Sequence, residues 1–182
     1  MRKFNAVISI LILGLFVIHA IAGSFQLSSV INGGSTVMKI LSKTMVMLVV
    51  IHMVIGTKLT FDSIAVQKKT RTAYFKENRL FWLRRISGFA VMLFLVFHVI
   101  IFVGNYDSGV YRLNLFGEMQ LVSQILFVLS LLMHIIANIK PLMMALGAVK
   151  YKNFMIDIMV VLSVILMFAA VAFILYYLRW LF

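Results

Sequence analysis

The sequence predicts an all-α integral membrane bundle of five transmembrane helices, one domain over residues 1–182. Three observations carry this. The chain is 64% hydrophobic with a mean hydropathy of +1.10, well above the ~45–50% apolar content of a soluble domain. Five apolar runs approach the ~20 residues a helix needs to cross a hydrocarbon core. The 17 lysines and arginines, against five acids, flank those runs rather than forming a stripe on a soluble face. Placement of that kind follows the positive-inside rule, so the net charge of +12 is not read as a nucleic-acid surface.

Helix one, residues 4–24, follows Arg2 and Lys3. It imitates a signal peptide, with Ala20-x-Ala22 as a small-residue cleavage pattern, but the run is long for a signal core and is expected to remain a helix. Helix two covers 37–58 and includes "MVMLVVIHMVIG". Helix three covers 83–104 and begins within "FWLRR". Helix four covers 119–140 and stops before Pro141, the single proline. Helix five covers 154–178; its end, with Tyr176, Tyr177 and Trp180, reads as an interfacial aromatic belt, and it is assigned packing alone. Thirteen lysines and arginines fall on the side of the N-terminus and of the 2–3 and 4–5 loops. Lys39, Lys43, Arg112 and Arg179 fall on the other. The N-terminus is therefore expected in the cytoplasm and the C-terminus outside.

Each of the first four runs holds one histidine: His19, His52, His98 and His134. A rise of ~1.5 Å per residue puts His19 and His98 ~20–24 Å from the inner face. His52 and His134 lie ~8–9 Å from it. The four thus form an outer and an inner pair, ~11–16 Å apart along the membrane normal. A lone intramembrane histidine is commonly a packed residue bonded to a carbonyl. Four of them at two matched depths ask for more, because ionisable side chains in a bilayer are costly and usually functional. Two facing imidazoles are the axial ligand set of a b-type haem. The absence of cysteine excludes thiolate metal sites, iron–sulfur clusters held by this chain and covalently attached haem. A zinc or copper site would need more ligands than two at each depth. A proton pump would want buried acids, whereas Asp62, Glu77, Asp107, Glu118 and Asp157 sit in loops or near helix ends. Gly23 and Gly56 follow His19 and His52 by four residues, on the same helix face, and Ala137 and Asn138 follow His134. They give a flat macrocycle clearance, a pattern that Ile101 and Phe102 after His98 break.

With these residues the chain resembles the five-helix, two-haem cytochrome b anchor of succinate:quinone oxidoreductases and quinol:fumarate reductases. That family takes its ligands from the first four of five helices, paired first with third and second with fourth. The segment "FWLRRISGFAVMLFLVFHVI", with Trp82, Arg84, Arg85, Ser87 and Gly88, is similar to the family's third span. The resemblance covers nearly the whole chain by topology. It implies two haems b, the outer on His19 and His98 and the inner on His52 and His134, with Arg84, Arg85, Ser87 and Lys43 as candidate propionate contacts. It implies a multi-pass subunit of the bacterial cytoplasmic membrane. Its partners would be a flavoprotein subunit with FAD, where succinate and fumarate interconvert, an iron–sulfur subunit, membrane lipid and a quinone, menaquinone in this family type; the whole complex would be a candidate dimer. Gln26, Asn32, Asp107 and Glu118 are the polar residues near the outer haem that a quinone could meet.

The chain departs from the family at two places. Leu132 stands where some members carry a proton-conducting glutamate, and "SFQLSSVINGGSTVMK" lacks their acidic residue at the outer quinone site. Two other readings stay open: a dihaem anchor of a different dehydrogenase or reductase, and a haem-free transport or structural subunit.

Overall fold

The computed structural model describes residues 1–71, 78–107, 110–112, 116–147 and 152–181, with only the backbone described at 105–107, 110–112, 152 and 180. Five helices dominate: α1 Arg2–Leu27, α2 Thr36–Thr70, α3 Arg79–Phe102, α4 Glu118–Ala145 and α5 Lys152–Leu181. All five are long and apolar enough to cross a membrane. Between α3 and α4, Asn105–Asp107 pairs antiparallel with Val110–Arg112. Large apolar side chains such as Val54, Phe89 and Val96 face outward. A bundle whose solvent is lipid has no reason to hide them.

All five helices depart from their expected bounds, α2 and α4 most at their C-terminal ends. α2 was expected to end at residue 58 but runs on to Thr70. No proline or glycine interrupts the chain after Gly56. The helix stops where Arg71 takes a left-handed conformation (φ 53°), with its N–H directed to the carbonyls of Gln67 and Lys68. Lys68 and Lys69 lie in that last turn, where cations complement the helix dipole.

α4 was expected to stop before Pro141 and instead passes through it to Ala145. A proline inside a helix cannot donate to the carbonyl four residues back, here that of Ala137. The Nε of Arg84 on α3 donates to this same carbonyl at 3.0 Å. The bond lost within α4 is replaced by one that ties α4 to α3.

The helices pack unevenly. α3 packs on α4, α4 on α5, α5 on α1 and α1 on α2, with a smaller contact between α1 and α4. α2 has no buried residue. Two hairpins, α1–α2 and α3–α4, are thus bridged by α5. A buried cluster of Phe116, Val128, Leu166 and Phe173 lies between the second hairpin and α5, with Phe102, Tyr176 and Tyr177 against it. Tyr176 meets Phe116 at a ring separation of 5.1 Å and is part of this packing. At the other end of the chain the guanidinium of Arg179 donates to the carbonyl of Ser28 at 2.8 Å and to the hydroxyl of Ser29, fixing the end of α5 to the turn after α1.

The Arg84 bond gives a direct test. Arg84→Ala leaves the buried Ala137 carbonyl without a donor and is expected to cost about 1–3 kcal/mol, read as a lower thermal midpoint in detergent. Arg84→Ala/Pro141→Ala is expected to recover most of that loss, because residue 141 then regains an N–H for Ala137.

Candidate functional site

The four histidines meet in the order in which the sequence paired them. His19 on α1 faces His98 on α3, with ring centroids 6.1 Å apart and an interplanar angle of 76°. His52 on α2 faces His134 on α4 at 6.5 Å and 87°. Neither pair is stacked. A metal–imidazole nitrogen bond is ~2.0–2.1 Å, so two imidazoles on opposite sides of one metal atom place their centroids ~6 Å apart. Edge-to-face ring packing spans the same range, so separation alone does not choose between the two.

The second ring nitrogen is engaged within the hairpin in every case. Each Nδ1 is tied to a side chain on the neighbouring helix of the same hairpin. Ser42 on α2 meets His19 Nδ1 at 3.1 Å, and Ser9 on α1 meets His52 Nδ1 at 3.2 Å. Ser87 on α3 meets His134 Nδ1 at 3.2 Å. Gln124 on α4 meets His98 Nδ1 through Oε1 at 2.7 Å. A serine hydroxyl has one hydrogen, and each of these three is already donated to its own helix. Ser42 donates to Met38 O at 2.8 Å, Ser9 to Asn5 O at 2.8 Å and Ser87 to Arg84 O at 3.3 Å. Towards the imidazole these hydroxyls can only accept. The Gln124 amide is oriented by its Nε2, which donates to Ser123 Oγ at 3.1 Å, and Ser123 donates onward to Gln120 O at 2.7 Å. At His19, His52 and His98 Nδ1 therefore carries the proton and Nε2 keeps its lone pair, whereas His134 Nδ1 also lies 3.4 Å from Asn138 Nδ2, a donor, so its neighbours do not select one tautomer. A metal-bound histidine has the first arrangement, with its other nitrogen donating to an outer acceptor.

The partners also fix direction and level. Residues 9 and 19 of α1 lie opposite 52 and 42 of α2, and residues 87 and 98 of α3 lie opposite 134 and 124 of α4. Each hairpin is therefore antiparallel. Ten or eleven residues separate acceptor from histidine on every helix, which sets the two levels ~15 Å apart.

Space between the hairpins is consistent with a plate-like ligand. Helices in close contact run ~8–10 Å apart, and neither α1 with α3 nor α2 with α4 packs in this way among the described residues. A Cβ placed on Gly23 or Gly56 would meet nothing within 4 Å. Gly88 is different: its Cβ would come 3.1 Å from His134 Cε1, so the absent side chain is what lets that imidazole lie against α3. His98, whose following residues are bulky, is instead boxed by rings, with Phe102 at 4.9 Å, Phe127 at 5.1 Å and Phe173 at 6.4 Å. No group of three or more His, Asp or Glu converges among the described residues. A metal between these pairs would draw its remaining ligands from something other than the chain, as a macrocycle supplies them.

The other site candidates fall as follows. Arg84 spends its Nε on Ala137 O. Arg85 sends its Nε to Thr60 Oγ1 on α2 at 3.1 Å, and its guanidinium carbon lies 4.2 Å from the centroid of the Phe81 ring. These two cations stand within a turn of Ser87 and so of the inner pair. Ser87, 5% exposed, is engaged with His134. Lys43 is exposed, one residue after Ser42. Gln26 is half-buried near the end of α1, Asn32 and Glu118 are exposed, and the side chain of Asp107 lies outside the described residues. Ser9, Ser42 and Gln124 were not singled out from the sequence. The signal that finds them is a polar residue ten or eleven positions before each histidine.

¹⁵N-histidine-labelled protein is expected to show Nδ1-protonated rings at His19, His52 and His98 by NMR. Ser42→Ala is expected to shift the signal of His19 and leave those of the inner pair in place.

No family model matches the chain, and no curated protein or solved structure does so either.

Proposed function

We propose that the chain is a membrane-anchor electron-transfer subunit that holds two bis-histidine haems b and passes electrons between a cytoplasmic iron–sulfur/flavoprotein pair and membrane quinone. The observation that carries this reading is the doubled pair of facing imidazoles, each with Nδ1 engaged by a side chain of the adjoining helix, at two levels of one apolar bundle. His19 and His98 would hold the outer group, and His52 and His134 the inner one. When bound, each haem would supply a one-electron iron couple. The chain's own side chains do the rest. Ser42, Gln124, Ser9 and Ser87 orient the rings, and Gly88 admits the His134 imidazole. Arg84 and Arg85 offer positive charge beside the inner pair, where propionates would find charge-assisted hydrogen bonds.

The dicarboxylate chemistry in this proposal rests on the family resemblance and belongs to partner chains, because function resides in the site and not in the fold. The basic end of the bundle, with Lys58, Lys68, Lys69, Arg71, Arg79, Arg84 and Arg85, supports a cytoplasmic N-terminus and a bacterial inner-membrane location. It also supplies a docking face for an iron–sulfur subunit.

The test is a dithionite-reduced minus oxidised spectrum of the purified chain with haem counted. About two b haems per chain are expected. His19→Ala and His98→Ala are expected to lose the same haem, and His52→Ala the other. A colourless protein, or one whose haem is indifferent to all three changes, overturns the proposal. Gly88→Val gives an independent check, because its side chain would displace His134. The same spectrum is expected to lose the haem that His52→Ala loses and to keep the other.

A further inference from the structure

We propose that Gln124 is a positioning residue that sets the redox potential of the metal held by His19 and His98, acting through the Nδ1 proton of His98; this rests on the haem reading above. Gln124 is fully buried, at 0% exposure, in the middle of an apolar helix. An amide there costs free energy unless its hydrogen bonds are made. Its two ends are used differently. Nε2 is spent on Ser123, whose hydroxyl is anchored to Gln120 O. That chain aims Oε1 at His98, and the resulting 2.7 Å bond is shorter than the 3.1–3.2 Å bonds at the three serine-held histidines.

The chemical consequence follows from the acceptor. Three of the acceptors are hydroxyls that also donate to their own helix; the fourth is a desolvated amide carbonyl. A stronger acceptor on Nδ1–H leaves more electron density on Nε2 and makes the imidazole a more basic ligand. A more basic axial ligand favours the oxidised metal, so it lowers the midpoint potential. The effect is local to one level of the bundle, because His52 and His134 have their own acceptors ~15 Å away.

The experiment is a redox titration of the full chain carrying both haems, with each component assigned by its loss in His19→Ala or His52→Ala. Gln124→Met keeps the volume of the side chain and removes the amide acceptor. It is expected to raise the midpoint of the component that His19→Ala loses and to leave the other unmoved. Gln124→Glu restores an acceptor oxygen and is expected to bring that component back to the parent's midpoint or below it. Unmoved midpoints in both variants, an equal movement of both components, or loss of the outer haem from both variants would each overturn the proposal and leave Gln124 a packing residue. Two haems with unmoved midpoints defeat this inference alone, whereas a parent chain without haem defeats the proposed function and this inference together.

Discussion

Everything else in the bundle depends on the hydrogen bond between each imidazole Nδ1 and an acceptor on the adjoining helix. In a hydrocarbon environment an imidazole must place two nitrogens, and leaving either unsatisfied is costly. Satisfying Nδ1 within the hairpin decides which way the ring points and, at His19, His52 and His98, where the proton sits. Because His19–Ser42 and Ser9–His52 join the same two helices, sliding α1 against α2 by one turn would break both bonds together. The same holds for Ser87–His134 and His98–Gln124 on α3 and α4. Each hairpin thus has its register pinned at two points, and setting two such hairpins face to face brings the imidazoles together in two pairs.

The charged side chains at the basic end also hold the helices together. Arg84 reaches α4 through the carbonyl that Pro141 cannot use, and its neighbour Arg85 reaches Thr60 on α2. Two consecutive residues of α3 therefore bind opposite hairpins. One guanidinium closes the α3–α4 pair, while the other spans from the second hairpin to the first. Positive charge near the inner histidines is in this way fixed by backbone and hydroxyl partners instead of being left on mobile chains.

The sequence made the architecture legible because membrane spans are set by length and apolarity, and because depth can be counted from a fixed rise per residue. The pairing of His19 with His98 and of His52 with His134 came from that count, and the rings lie accordingly. Helix ends were less legible. The extension of α2 to Thr70 is polar enough to read as a loop, and only the absence of a breaker signals it. Pro141 reads as a stop unless Arg84, over fifty residues earlier, is known to take the freed carbonyl. Ser9, Ser42 and Gln124 were missed for a related reason: their role lies on a neighbouring helix. Ser87 was noticed for its place in a motif, but its bond to His134 emerges only once α3 and α4 are aligned antiparallel.

The uneven packing has a bearing on how the molecule is made. α5 is the helix that touches both α1 and α4, and Arg179 near its end fastens it to the turn after α1. It is also the last of the five helices to leave the ribosome. Both hairpins, each already bonded internally, therefore precede the strut that joins them. The order of the chain places a period of assembly in which the imidazoles are already oriented and the distance between them is not yet set.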